Sequence, residues 1–420
     1  MDLKNLLKRF ENCPCGRKHS FDLETYVARE GLVNEVGNEL LKANFPKKIY
    51  IVSDENELKA ANGILESLDK CGYKYELKVY PDLKYAYMDD SLEIADKISN
   101  FDGLLSIGTG SCNDICRYAA YIANKPFAIF ATAPSMDGFA SDSAPLIKNN
   151  FKISYQCRQP SIVLADTNIL ASSPSELKAA GFGDIVAKYV GLVDWKLSNY
   201  ITGEYICENV VNLVQETVDK VVSNVEKIQS NDPKASESIL DALIITGCAM
   251  QLVHLSRPAS GAEHIVSHFW EIHKLEKGIW PDYHGKKVGI ATCLLVPIYK
   301  EIAKIEKAEL VQENLKLDDV LKHYSINNRK EIIGLNVPSI MDTVSRQAFE
   351  DNWDNIKNDI HKYLPDTDKF ISLMKTAGCA TTIEEGNISQ EFCDEAIKYS
   401  PYMRRRITLM RILPMIKEKR

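Results

Sequence analysis

Leu104-Leu105-Ser106-Ile107-Gly108-Thr109-Gly110-Ser111 is a short, largely apolar run that ends abruptly in a glycine-rich turn. Runs of this length bounded by turn residues read as buried strands. Ile115, Cys116, Ala119 and Ala120 then recur at helical spacing as far as Lys125-Pro126, and Phe127-Ala128-Ile129-Phe130 reads as the next strand. Upstream, Ile49-Tyr50-Ile51-Val52 stops at Ser53-Asp54, and a helix is predicted from Glu57 to Cys71. Alternation of this kind predicts a parallel sheet covered by helices.

In that setting the turn has a chemical reading. Between a strand and a helix, Gly108, Thr109 and Gly110 expose backbone N–H groups and a helix dipole to a pyrophosphate. The third glycine of the usual dinucleotide fingerprint is missing, and a plain strand-to-helix turn is the competing explanation. Asp54 ends an earlier strand, where a carboxylate accepts hydrogen bonds from an adenosine ribose and repels a 2′-phosphate; a surface turn aspartate looks the same. Thr132-Ala133-Pro134-Ser135-Met136-Asp137-Gly138 follows the next strand, at the carboxyl edge where open α/β folds bind ligands.

After about residue 170 the apolar period becomes helical and stays so. Ser173-Pro174-Ser175-Glu176 has capping-box spacing with proline at the first helical position. Val218, Val221, Val222 and Val225 keep i, i+3, i+4, i+7 spacing before Asp232-Pro233, and a further apolar helix runs from about Ile239 to Leu252. Two domains are expected: an α/β Rossmann-like dinucleotide-binding domain over 1–170, and an all-α metal- and substrate-binding domain over 171–420.

Composition narrows the function. The 420 residues carry a net charge of -7, with 45% apolar and 26% charged residues, as in ordinary globular chains. No long basic run precedes the last residues, so a nucleic-acid partner is not expected. The polar amino terminus lacks a signal-peptide core, and no stretch reads as a membrane span, which predicts a cytoplasmic protein. Eleven cysteines, mostly single in apolar segments as Cys248 and Cys293 are, read as reduced thiols.

Histidine placement carries the strongest chemical signal. Five of the eight, His254, His264, His268, His273 and His284, fall within thirty-one residues. His264 and His268 are four apart, on one helix face, and His284-Gly285 opens another helix pattern. Asp184, in Gly181-Phe182-Gly183-Asp184, reads as a helix start with Lys188 one turn along. Asp184, His264 and His284 together form a candidate Lewis-acid site with an open position. Singly, each residue reads as a cap or a satisfied core group. Cys13-Pro14-Cys15-Gly16 with His19 lacks a fourth ligand at matching spacing and reads as a turn with incidental thiols. Arg404-Arg405-Arg406 and Lys417-Glu418-Lys419-Arg420 read as solvated helix faces.

The segments GTGSCNDI, TAPSMDGFAS, GFGDIVAKY, SRPASGAEHIVSH and HGKKVGIAT occur in an order similar to that of the iron-type alcohol dehydrogenase and dehydroquinate synthase superfamily. TAPSMDG, SRPASGAEH and CPCGRKH resemble its sn-glycerol-1-phosphate dehydrogenase branch, over nearly the whole chain. The resemblance implies the two-domain dehydroquinate synthase-like fold and a metal, zinc or nickel, on Asp184, His264 and His284. It implies NAD, or NADP, bound through Gly108, Thr109, Gly110, Thr132, Ser135 and Asp54. Asp137 matches a polyol-facing position and His268 a substrate-facing histidine. Ala291 departs from a usual glycine, and Arg117 from a common lysine to which no role is carried over.

The implied activity is reversible reduction of dihydroxyacetone phosphate to sn-glycerol 1-phosphate, for phospholipid biosynthesis, by a homodimer or larger homo-oligomer. Arg257 and Lys188, each near a metal ligand in sequence, are the phosphate candidates. Two other activities share the metal half of the pattern: glycerol dehydrogenase acting on an unphosphorylated polyol, and a dehydroquinate synthase-like lyase that keeps NAD bound and releases phosphate.

Overall fold

The structure is a computed structural model and describes residues 1–148 and 151–419. Two compact units divide it: Met1–Ile185 with Asp219–Leu255, and Val186–Val218 with Ser256–Arg420.

The first unit is built on strands β1 (Thr25–Arg29), β2 (Lys48–Asp54), β3 (Lys74–Tyr80), β4 (Gly103–Gly108), β5 (Phe127–Ala131), β6 (Ser143–Lys148), β7 (Phe151–Gln156) and β8 (Ile162–Asp166). Six of them form a parallel sheet in the order β1-β8-β5-β4-β2-β3, and β6 and β7 pair as a separate antiparallel hairpin. Every residue of β4, β5 and β8 is buried. Parallel strands covered on both faces read as continuous apolar runs for this reason. Each wholly buried Leu, Ile or Phe there stabilises the fold by roughly 1.5–3 kcal/mol relative to exposure.

From β2 the chain first goes outward to β3 and then returns to lay β4 on the other side of β2. Ser53 is paired with Ile107, so Asp54 and Gly108 leave the sheet side by side at this switch point. The helix after β2 is broken in two, α1 (Glu55–Ala60) and a second segment Ile64–Lys70. Gly63, at φ +102, interrupts the predicted single helix, and a Cβ there would meet Asn34 Oδ1 at 2.6 Å. After β4 comes α2 (Gly110–Ile122), and after β8, α3 (Ser175–Val186).

The domain boundary expected near residue 170 is corrected by the packing. α3 belongs to the first unit up to Ile185, and so does the segment Asp219–Leu255, which holds the helix Pro233–Val253. That helix lies so close to the short turn Asp137–Ala140 that a Cβ on Gly247 would stand 2.7 Å from the Ala140 backbone. Its length and composition would let it cross a membrane, a property the sequence reading overlooked, yet 72% of its most apolar window is buried within the protein.

The second unit is largely helical. It contains α4 (Lys188–Thr202), α5 (Ala262–Glu276) and α6 (His284–Ile302), and a small antiparallel ribbon of β9 (Ala308–Leu310) and β10 (Ile416–Glu418). Of the predicted valine stripe, Val218 and Val221 are buried on the helix Glu208–Val222, while Val222 is half-buried at its end and Val225 falls in the separate turn Val225–Ser230; the buried face continues toward the amino terminus through Val210, Val211 and Val214.

Candidate active site

The glycine turn lies where the sequence placed it, between β4 and α2. Thr109 precedes the helix without capping it, because its hydroxyl and its N–H both go to Glu57 Oε1, at 2.7 and 2.6 Å. Glu57 was not singled out from sequence, although Asp54-x-x-Glu57 has capping-box spacing. Asp54 Oδ1 accepts the Glu57 N–H at 2.8 Å, and the Glu57 side chain turns away to Thr109 instead of closing the box. Burial first, then the Asp54 charge, push the Glu57 carboxyl up to about 8, so it is neutral at pH 7. A Cβ on Gly108 would strike Glu57 Oε2 at 2.0 Å. Asp54 is thus a buried helix cap in addition to a group at the switch point.

Across the same edge, Thr132 and Ser135 are buried, and Thr132 Oγ1 has no hydrogen-bond partner among the described residues. An orphaned hydroxyl at the carboxyl end of β5 fits a bound polar ligand. Arg117 braces this loop from α2. Its guanidinium pairs with Asp114 at 2.8 Å and donates to the carbonyls of Gly138, Phe139 and Ser143. Gly181 lets α3 approach closely, since a Cβ there would lie 1.9 Å from Pro134 O.

Asp184 is wholly buried in the last turn of α3, where the sequence had placed a helix start. Ala187 separates α3 from α4, which Lys188 opens. Asp184 Oδ2 accepts the Asp137 N–H at 2.9 Å, so the loop and the carboxylate orient each other.

In the second unit the rings of His264, His268 and His284 gather, with centroids 5.2 Å apart for His264–His284, 5.9 Å for His268–His284 and 6.4 Å for His264–His268. The ligand atoms of His264 and His284 lie within 4.8 Å of one another. His264 Nδ1 contacts Glu263 Oε1 at 2.7 Å. A carboxylate there fixes the proton on Nδ1 and leaves Nε2 as the lone pair for a metal, the usual outer support of a ligating imidazole. Glu263 Oε1 also accepts the Gly261 N–H at 2.7 Å. Asp194 accepts the Ala262 and Leu409 N–H groups and the Tyr299 hydroxyl, and burial and the Glu263 charge push it up to about 7. Gly261 is required here, because a Cβ would come within 2.8 Å of Asp194, Glu263 and Gly191. The other clustered histidines do different work. His254 ends the helix Pro233–Val253 in a left-handed conformation, and His273 packs on Phe269 with its ring nitrogens 2.9 Å from the carbonyl oxygens of Phe269 and His323.

Arg257 is held by Glu204 at 2.5 and 2.9 Å, by Ser198 and by the Ile407 carbonyl, so its guanidinium serves as an internal brace and not as the expected phosphate ligand. Lys188 is wholly buried. The arginines assigned to a solvated helix face are not on a helix at all. Residues 404–406 form an irregular segment between Ser400–Met403 and Leu409–Ile412. Arg404 reaches His268 Nδ1 at 3.5 Å, and Arg406 donates to Ser256 Oγ at 2.5 Å and to Ser260 O at 2.6 Å. Desolvation, then the Arg404 charge, hold His268 well below the usual imidazole range.

A parallel sheet with a glycine turn at its switch point, in a chain that also presents a supported imidazole pair, is the pattern of a class: nicotinamide- and metal-dependent dehydrogenases of the iron-containing alcohol dehydrogenase type. The model of that family matches residues 27–174. The glycerol-1-phosphate dehydrogenase (NAD(P)+) of Geobacillus stearothermophilus is 32% identical over 71% of this chain and 76% of its own length. That of Halalkalibacterium halodurans is 28% identical over 97% and 96%. The chain belongs to this glycerol-1-phosphate dehydrogenase family. Among solved structures, a probable glycerol dehydrogenase from Sinorhizobium meliloti superposes with TM-score 0.61 at 13% identity, covering 91% of this chain and 90% of that one. Sulfoacetaldehyde reductase from Bifidobacterium kashiwanohense, solved with NAD+, gives 0.60 at 14% over 95% and 97%. At these identities the likeness establishes the fold.

Proposed function

We propose that the chain reduces dihydroxyacetone phosphate reversibly to sn-glycerol 1-phosphate with NAD(P)H, at a divalent centre on Asp184, His264 and His284. The carrying observation is the His264–His284 pair with Glu263 behind it, in a chain whose relatives are named for this product. A divalent metal supplies Lewis acidity toward the ketone oxygen, and the reduced nicotinamide supplies the hydride. Two imidazoles and a carboxylate suit zinc or nickel.

The remaining tasks fall to the chain itself. Asp137, whose N–H steadies Asp184, presents its carboxylate to the polyol hydroxyls. His268 relays the proton that the new C2 hydroxyl requires. Arg404 and Arg406 replace Arg257 and Lys188 as the cations for the substrate phosphate, because they flank His268 and the Ser256–Ser260 loop. Gly108, Thr109, Gly110, Thr132 and Ser135 hold the dinucleotide, whose phosphate takes over the Thr109 N–H from Glu57. Asp54 disfavours a 2′-phosphate, so NADH is the better reductant. The same reading makes the protein a cytoplasmic homo-oligomer, which light scattering on the purified protein would test.

The deciding experiment follows NADH oxidation with dihydroxyacetone phosphate and with dihydroxyacetone, with the product enantiomer identified. Wild type should give sn-glycerol 1-phosphate. Arg404→Ala should raise KM for the phosphorylated ketone roughly tenfold or more, the scale of a lost charge-assisted hydrogen bond, and leave KM for dihydroxyacetone within about twofold. Phosphate release without net NADH oxidation would identify a lyase. Preference for the unphosphorylated polyol would identify a glycerol dehydrogenase.

A further inference from the structure

The amino-terminal segment Cys13-Pro14-Cys15-Gly16-Arg17-Lys18-His19 lies outside everything assigned above. Its spacing alone gave incidental thiols, but its folded geometry differs. Gly16, at φ +75, turns the chain back, with its N–H donated to Cys13 O at 3.2 Å. The turn draws the ligand atoms of Cys13, Cys15 and His19 to within 4.8 Å of one another.

The imidazole is positioned as a ligand would be. His19 Nδ1 lies 2.7 Å from the Leu252 carbonyl oxygen, which only accepts, so Nδ1 carries the proton. The lone pair is therefore on Nε2, and Nε2 faces Cys15 Sγ at 3.1 Å. An outer N–H tied to a backbone carbonyl, with the inner nitrogen aimed at thiols, is the support found behind metal-bound histidines. Phe10 packs against the ring at 5.2 Å and restricts its rotation. Cys13 is buried and Cys15 half-buried, and neither is in a disulfide.

We propose that Cys13, Cys15 and His19 bind a second metal ion, a zinc of structural type, distinct from the dehydrogenase centre and independent of its assignment. Two thiolates and an imidazole select zinc over the hard cations. The ion fastens the first nineteen residues to the carboxyl-terminal turn of the helix Pro233–Val253, through His19 and the Leu252 carbonyl. A structural zinc takes four ligands. Cys13, Cys15 and His19 supply three of them.

The test uses the full chain, stripped of metal under reducing conditions and titrated with Co2+. Thiolate-bound cobalt shows a strong thiolate-to-metal charge-transfer absorption that a centre of imidazoles and a carboxylate does not produce. One equivalent of cobalt should develop this absorption in wild type and equally in His284→Ala, and Cys15→Ser should lose it. Should Cys15→Ser misfold, native wild type decides: an organomercurial that modifies thiols should release one zinc per chain. Wild type without the thiolate–cobalt absorption, a Cys15→Ser variant that folds and retains it in full, or no zinc released from the native protein would overturn the proposal.

Discussion

At the scale of single residues, the site depends on groups whose importance appears only in three dimensions. Glu263 adjoins His264 in sequence, and neighbours on a helix do not ordinarily face each other. The contact forms here because both lie in the first turn of α5, where Glu263 Oε1 meets both the Gly261 N–H and His264 Nδ1. Glu263→Gln keeps the shape and removes the charge that strengthens the imidazole as a donor. Metal affinity should fall roughly ten- to hundredfold, with activity recovering in excess metal; a metal titration with the wild-type midpoint would contradict this role. The sequence made His264 and His284 legible through their clustering, but neither Glu263 nor Glu57, because an orienting contact leaves no spacing signature. Arg257 was misjudged for a related reason. Nearness in sequence to a metal ligand says nothing of Glu204, fifty-three residues away, which occupies its guanidinium.

At the scale of elements, strands β2, β4 and β5 were readable because a buried parallel strand must be continuously apolar. The allegiance of the helices was not readable. Period distinguishes helix from strand, but an apolar helix has the same period whichever unit it joins, so the boundary near residue 170 missed the return of Pro233–Val253 to the first unit. Two glycines make such close packing possible, Gly181 beneath Pro134 and Gly247 beneath Ala140. The obstacle at Gly247 is backbone, which has little room to yield. Gly247→Ala should therefore destabilise the protein by about 1–3 kcal/mol, the usual cost of overpacking, in excess of the gain alanine brings to a helix interior. A lower urea midpoint with an unchanged slope is the expected result. An equal or higher midpoint would show that the helix and the turn Asp137–Ala140 are free to separate.

At the scale of the whole molecule, each unit buries a carboxyl that keeps its proton near neutrality: Glu57 beside the glycine turn, pushed up to about 8, and Asp194 beneath α5, pushed up to about 7. Desolvation is the largest cause in both cases, so the folded state holds protons that the unfolded chain, with carboxyl pKa values of about 4, has released. Stability from these two groups is complete below the unfolded carboxyl range and is lost as pH rises through about 7 and then about 8. Each costs about 1.4 kcal/mol per pH unit between its two pKa values. Chelation removes the opposing preference of a bound metal for deprotonated ligands. The urea midpoint of the metal-free protein should therefore fall steadily from about pH 6.5 to about pH 8. Glu57→Gln, neutral at every pH, should flatten the decline between about pH 7 and 8 and leave the portion due to Asp194. A wild-type midpoint that holds level or rises across this range would mean that water reaches both carboxyls. A variant with the wild-type slope would mean that it reaches Glu57 alone, and that this side chain sits ionised beside Thr109, where it would oppose a dinucleotide phosphate instead of yielding the N–H to it.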